Sequence, residues 1–341
     1  MVGREHQDSK TVFVTGGAGY IGSHACKALA ARGILPIAFD NLSTGHKWAV
    51  KWGGLEQGDI LDTPRLVEAF KAHGPLAVMH FAAKAYVGES VERPRDYYRD
   101  NVQGTLSLLT AMVECGVKNL IFSSSCSTYG LPVRLPVDES QPTNPVSPYG
   151  FTKVACERMM ADFETAYGLR WMALRYFNAA GADPDGEIGE LHYPETHLIP
   201  LALTAADGNL TKLEIYGDDY PTPDGTCVRD YVHVSDLATG HVQAMEALVA
   251  GHAKGVFNLS TGKGASVREV IETVEKVTGK KVPVRVGPRR PGDAVHLVAD
   301  TTKARQQLGW DPKYASLETI VSTSWNWMKQ GGPTGLVEPR R

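Results

Sequence analysis

Residues 12–29 read VFVTGGAGYIGSHACKAL. A short apolar run enters a glycine-rich turn, and apolar residues then recur at helical spacing, so the stretch reads as strand, tight turn and helix. Gly17, Gly19 and Gly22 stand in G-x-G-x-x-G spacing. Glycine is needed there because the turn is tight, a pyrophosphate must approach the backbone, and the helix packs close to the strand with its N-terminus facing the phosphates. Glycines at a strand end are often only a turn. The context argues for more, because Asp40 closes the next apolar run about 20 residues on, the expected place for a carboxylate that hydrogen-bonds a ribose 2′-hydroxyl. A carboxylate at that point repels a 2′-phosphate, and FDNLSTG (39–45) has no arginine to offset it, which favours NAD over NADP.

Outward from this stretch, short apolar runs alternate with longer segments of helical period. The spacing predicts strands at 11–15, 35–40, 77–81, 120–124 and 172–177, and helices at 21–31, 64–72, 95–115 and 149–167. That alternation predicts an α/β fold, a doubly wound parallel sheet of Rossmann type covered on both faces. After Asn178 the character changes. GADPDGEIGELHYPETH (181–197) is too polar for a core and marks a boundary or an active-site loop. The expected division is a dinucleotide-binding domain over 1–181 and a second, smaller α/β domain over 182–341, with a segment near 231–260 as a candidate for return to the first.

A chain of 341 residues suits about two domains. Its formal charge of −3 gives no field to gather nucleic acid or an anionic membrane, so an anionic ligand must be held by a few placed groups. Five cysteines, odd in number and without C-x-x-C spacing, argue against a disulfide framework and a structural zinc site, and fit a reducing cytoplasm. The polar start MVGREHQDSK has no apolar stretch of signal-peptide length, and no run of 18 apolar residues occurs. The end, GGPTGLVEPRR, reads as a loose tail.

FSSSCSTYG (122–130) ends a strand, and PYGFTK (148–153) places Tyr149 and Lys153 at i and i+4, on one face of a helix. An ammonium beside a phenol favours the phenolate, and a nicotinamide cation would favour it further, so Tyr149 could accept a hydroxyl proton while hydride leaves the same carbon. By itself such a pair is an ordinary helix-surface contact. Its weight comes from following a dinucleotide fingerprint and a serine-rich strand end, where ligands bind in such sheets.

TGGAGYIG, SSSCSTYG, PYG-x-TK and RYFNAAG together resemble the extended short-chain dehydrogenase/reductase family, and RYFNAAGADPDGEIGE with DGTCVRDYVHVSDLA is similar to its UDP-glucose 4-epimerases. The likeness runs roughly from Lys10 to Trp310. It implies Ser125 as the hydroxyl bonding the reacting sugar oxygen, Tyr149 as acid/base, and Lys153 as its electrostatic partner and a ribose contact. For the NAD pocket it implies Gly16, Gly17, Gly19, Tyr20, Ile21 and Gly22; Asp40 and Asn41; Asp59 and Ile60 at the adenine; Phe81 and Ala82; and Asn101, Ser123 and Tyr176. Lys84 stands one place before the epimerase lysine, which leaves Ala85 at that site, so Lys84 is a candidate contact only. Related dehydratases and decarboxylases carry an acidic residue just after the catalytic hydroxyl. Cys126 and Ser127 follow here, which disfavours chemistry beyond a reversible redox step.

For a UDP-sugar the resemblance implies Arg229 and Arg290 on the diphosphate, Asp293 on the nucleotide ribose, and Asn178, Ser127, Leu198 and Tyr216 as further contacts. Arginine suits a diphosphate because its planar fork grips two oxygens, although an isolated arginine is more often a solvated charge. Leu297 stands where the family limits room for an N-acetyl group, and it is neither bulky nor small. UDP-glucose and UDP-galactose, UDP-N-acetylhexosamines and UDP-pentoses therefore stay open as substrates, as does a non-catalytic nucleotide-binding protein. Galactose metabolism and a homodimer built on the 95–115 and 149–167 helices are also implied. Glu190, His192, Glu195 and His197 cluster in sequence but lack H-E-x-x-H spacing, so no metal is expected and the segment reads as a substrate-domain loop.

Overall fold

The computed structural model describes residues 10–290 and 292–331; the leader before Lys10 and the tail after Gly331 lie outside them. Thirteen strands are seen among the described residues: β1 (Thr11–Thr15), β2 (Leu35–Asp40), β3 (Gly54–Gln57), β4 (Ala77–His80), β5 (Asn119–Ser125), β6 (Arg170–Tyr176), β7 (Asn178–Ala180), β8 (Leu213–Tyr216), β9 (Val228–His233), β10 (Gly255–Leu259), β11 (Gly264–Ser266), β12 (Val284–Gly287) and β13 (His296–Leu297). The helices are α1 (Tyr20–Ala31), α2 (Thr63–His73), α3 (Val87–Glu92), α4 (Pro94–Tyr97), α5 (Gly104–Cys115), α6 (Pro148–Tyr167), α7 (Leu198–Ala206), α8 (Val234–Val249), α9 (Val267–Thr278), α10 (Thr302–Leu308) and α11 (Leu317–Lys329). None is long and apolar enough to cross a membrane.

Seven strands form one sheet in the order β10-β6-β5-β4-β1-β2-β3, and every pairing in it is parallel. Successive side chains of a strand point to opposite faces, so a strand buried on both faces must be apolar throughout. β1 shows this directly: Val12 and Val14 pack with Ala25 and Leu29 of α1 and Leu237 and Met245 of α8, whereas Phe13 packs with Phe70 of α2 and Leu108 and Met112 of α5. This is the doubly wound Rossmann-type architecture. The chain runs outward from β1 to β3, then returns to β4 on the other side of β1, which opens a crevice at the carboxyl ends of β1 and β4.

The five expected strands are present with ends shifted by up to two residues, and the sheet has two more. β3 (GLEQ) is a short polar edge strand with no apolar run to betray it. β10 pairs with β6 from far along the chain, after α8 has crossed to lie against α1. The helix expected over 95–115 is divided, because a segment of wider turns, Tyr98–Gln103, separates α4 from α5. A smaller α/β unit carries β9 flanked by β7, β11 and β13, the β8–β12 pair, and a core in which Ile199, Leu203, Ile215, Val270, Val274 and Ile320 meet.

Candidate active site

The glycine turn after β1 is closed by backbone contact. Gly16 takes φ +72, and a Cβ there would stand 2.6 Å from the Ala82 nitrogen; a Cβ on Gly22 would stand 2.1 Å from the Gly16 oxygen. Gly19 caps α1 without a side chain, so the first-turn N–H groups of Tyr20, Ile21 and Gly22 are left for an anion. Asp40, at the end of β2, accepts from Ala18 N at 3.0 Å and from Leu42 N at 2.8 Å, yet a carboxylate has further lone pairs to offer a ribose. Burial raises its pKa against the pull of those two N–H groups. Asn41 donates to Asp59 at 3.0 Å, and Ile60 is buried against Gly104. Phe81 and Ala82 both donate their N–H groups to the Thr15 carbonyl. These features fit a dinucleotide pyrophosphate and ribose. Gly22→Ala is expected to cut the nucleotide recovered from denatured protein at least about tenfold, since the obstructing atom is main chain and cannot swing aside.

Asn101 lies buried in the wide-turn segment. It accepts from Lys84 N at 2.8 Å and donates to Lys84 O and to Thr152 Oγ1 on α6. Lys84 is thus held by its backbone, and Asn101 joins the loop after β4 to the helix that bears Tyr149. Ser123 and Tyr176 share a hydrogen bond of 2.6 Å across β5 and β6, and burial pushes the Tyr176 phenol up to about 12.

α6 begins where its sequence dictates: the Ser147 hydroxyl accepts from Gly150 N at 3.2 Å, and Pro148 occupies the first turn. Tyr149 and Lys153 therefore emerge together, both buried, beside Ser125 at the end of β5. The Tyr149 ring packs edge-on to Tyr97 at 6.4 Å. Lys153 Nζ donates to Ser123 O at 2.8 Å and stands 5.8 Å from the centre of the Tyr149 ring. Burial raises the phenol's pKa well above its usual range, with Tyr176 adding to it and a hydrogen bond from Ser125 opposing it; burial lowers the Lys153 ammonium to about 8. Desolvation thus works against the phenolate at Tyr149, and a positive charge close to the phenol works for it.

On the facing side, Arg229 of β9 donates to Asp293 at 2.5 Å, and β13 places Leu297 opposite Arg229 in register. The Arg290 guanidinium lies over the Tyr216 ring at 3.7 Å. Asn178 donates to the Asp230 carbonyl at 2.9 Å, and Ser127 N donates to Ser125 Oγ at 3.1 Å. Leu198 opens α7. Burial pushes the Cys126 thiol up to about 12 against the pull of Arg229.

The sequence matches the NAD dependent epimerase/dehydratase family over residues 12–260. The chain belongs to that family. It is 50% identical over 327 residues to the UDP-glucose 4-epimerase of Rhizobium meliloti (strain 1021), covering 95% of this chain and 99% of that one. The crystal structure of the Brucella ovis UDP-glucose 4-epimerase in complex with NAD is similar with a TM-score of 0.91 and 55% identity, covering 93% of this chain and 98% of the other. The Bifidobacterium longum enzyme in complex with NAD+ and UDP aligns with a TM-score of 0.88 at 39% identity, over 94% and 98% of the two chains.

Several supports of this epimerase/dehydratase site come from residues that no local motif marks. Glu157, one turn beyond Lys153 on α6, accepts from Ser124 Oγ at 2.6 Å and is gripped by Arg175 of β6. Its i+4 relation to Lys153 was visible; its arginine was not. His80 bridges Thr15 at 2.7 Å and Thr105 at 3.0 Å, and burial lowers its pKa to about 3. His46 and Trp48 reach from beside the glycine turn to the Leu191 carbonyl and the Trp327 ring, closing the 181–192 loop over it.

Proposed function

We propose that the protein interconverts UDP-glucose and UDP-galactose through a 4-keto sugar, using tightly held NAD. The observation that carries this is the convergence of Ser125, Tyr149 and Lys153 at the carboxyl end of β5, beside the glycine turn of a dinucleotide cradle. NAD, when bound, takes up and returns the hydride. Ser125 holds the 4-oxygen of the sugar, Tyr149 accepts and later returns its proton, and Lys153 keeps a positive charge beside the phenol. Arg229 and Arg290 hold the diphosphate and Asp293 the ribose, so that the oxidised sugar can turn over while the nucleotide stays fixed. With Cys126 and Ser127 after the catalytic serine, no carboxylate is supplied for a second proton abstraction.

The first part of the chain, to about residue 181, with α8 and β10 of the 231–260 segment, serves the cofactor in this reading, and the unit built on β7, β9, β11 and β13 serves the UDP-sugar. Purified protein should consume UDP-galactose in a coupled assay without added NADH. A requirement for a stoichiometric second oxidant would defeat the proposal, and rates on the hexose, N-acetylhexosamine and pentose substrates measured side by side would fix its breadth.

We also propose a homodimer through α5 and α6. Leu106 (44% exposed) and Phe151 (50% exposed) leave apolar surface uncovered there, with Tyr98 packed edge-on to Phe151 at 6.2 Å. Sedimentation at micromolar concentration is expected to give twice the chain mass, and Leu106→Glu to give the monomer. Five free cysteines support a reducing, cytoplasmic setting.

A further inference from the structure

The loop that precedes α7 folds back so that four side chains from eight residues converge. His197 Nδ1 lies 2.8 Å from Glu195 Oε1 and 2.9 Å from Glu190 Oε1, and His192 Nδ1 lies 3.1 Å from Glu190 Oε1 and 3.6 Å from Glu195 Oε2. One ligating atom from each residue falls within 4.8 Å of every other. We propose that Glu190, His192, Glu195 and His197 form a four-coordinate site for a divalent transition-metal ion of the zinc type.

Three observations carry the assignment. Imidazole and carboxylate are the ligand set such ions accept, and a tetrahedron built on bonds of about 2.0–2.1 Å has edges of about 3.3 Å, inside the 2.8–3.6 Å span of the four His–Glu separations. His192 Nδ1 is shut off from solvent and makes no hydrogen bond of acceptable geometry, although both carboxylates stand beside it. Finally, the two carboxylates are close together with Glu190 only 7% exposed, and among the described residues no lysine or arginine pairs with either.

The neighbouring Asp183, Asp185 and Glu187 make the contrast. Lys27 sits among those three at 2.7–2.8 Å and supplies the cation itself. Among the described residues no lysine or arginine pairs with the His–Glu group, whose own histidines are the only basic side chains paired with its carboxylates.

The surroundings suit a structural ion. Trp327 Nε1 donates to the Glu190 carbonyl, the N–H groups of Thr196 and His197 donate to Glu195, and the rings of Tyr20 and Tyr86 wall the His192 imidazole at 6.0 and 6.1 Å. An ion here would pin the loop between the glycine turn, which Tyr20 adjoins, and the start of α7. The four residues lack H-E-x-x-H spacing because that spacing belongs to a helix, whereas here a folded loop makes the convergence.

Untagged full-length protein, stripped with a chelator and dialysed, would be titrated with Co²⁺ and separately with Zn²⁺. One equivalent should bind, Co²⁺ should give the intense visible absorption of tetrahedral N/O ligation, and the thermal midpoint should rise with either metal. His192→Ala and His197→Ala should each weaken binding about 100-fold, because a quarter of the ligand set is lost, while Asp185→Asn should leave it unchanged. Absence of a saturable site in the unsubstituted protein overturns the assignment, whatever the variants do. So does full Co²⁺ binding by the double variant His192→Ala/His197→Ala.

Discussion

Tyr149→Phe is expected to lower UDP-galactose turnover by about 10²–10⁴-fold, the range for loss of a positioned acid/base, while the protein keeps its nucleotide. The substitution removes one oxygen. The ring stays, and with it the edge contact to Tyr97 at 6.4 Å and the first turn of α6, whose cap at Ser147 is untouched. Nothing in the glycine turn or at Asp40 depends on the phenol. What disappears is the group that Ser125 hydrogen-bonds and that lies beside Lys153. Turnover measured together with the nucleotide released on denaturation separates the outcomes. Loss of turnover with nucleotide retained assigns the chemistry to the phenol, and also excludes a non-catalytic nucleotide-binding protein. Undiminished turnover removes Tyr149 from the mechanism, and loss of both makes it a binding residue.

Arg175→Leu is expected to destabilise the fold by about 3–5 kcal/mol, the usual result of leaving a buried charge without its partner. Arg175 is 5% exposed and Glu157 8%. The guanidinium holds both carboxylate oxygens, at 3.0 and 2.5 Å, and lies over the Tyr129 ring at 4.7 Å. Removing it strands the carboxylate between α6 and β6, next to Ser124. The double change Glu157→Leu/Arg175→Leu should recover roughly half of that loss or more, because two apolar side chains need no compensation. Urea unfolding midpoints of the three proteins check this, and a single-variant cost under about 1 kcal/mol would show the pair to be energetically idle. Because β5 and β6 pair Ser124 with Arg175 in register, the damage falls directly behind Ser125.

Much of the cofactor side was readable because its signals are local. The glycine spacing and the acidic end of the second strand are each encoded within a few neighbouring residues, and local sterics decide them. Tyr149 and Lys153 at i and i+4 were bound to share a face once α6 formed. The polar edge strand β3 and the wide turns at Tyr98–Gln103 carried no such signal. In the first case an edge needs no apolar run; in the second, the hydrogen bonds that distinguish wide from ordinary turns leave the apolar spacing unchanged.

The protonation of Tyr149 shows where local reading ends. A lysine four residues on suggests an easily ionised phenol, but burial is a property of everything packed around it, and here it raises the phenol and lowers the lysine. The same holds for partners brought from afar: Arg175 for Glu157, Asp293 for Arg229, β10 for the sheet edge, and the loop that gathers two histidines with two glutamates. By itself, then, the order of residues determined the strand–turn–helix cradle, the sheet class and the shared helix face of Tyr149 and Lys153, since these follow from steric and hydrogen-bonding choices between near neighbours. Only the tertiary structure decided which charges are compensated and which atoms are dry, because solvent exclusion and long-range pairing exist only once the chain has closed on itself.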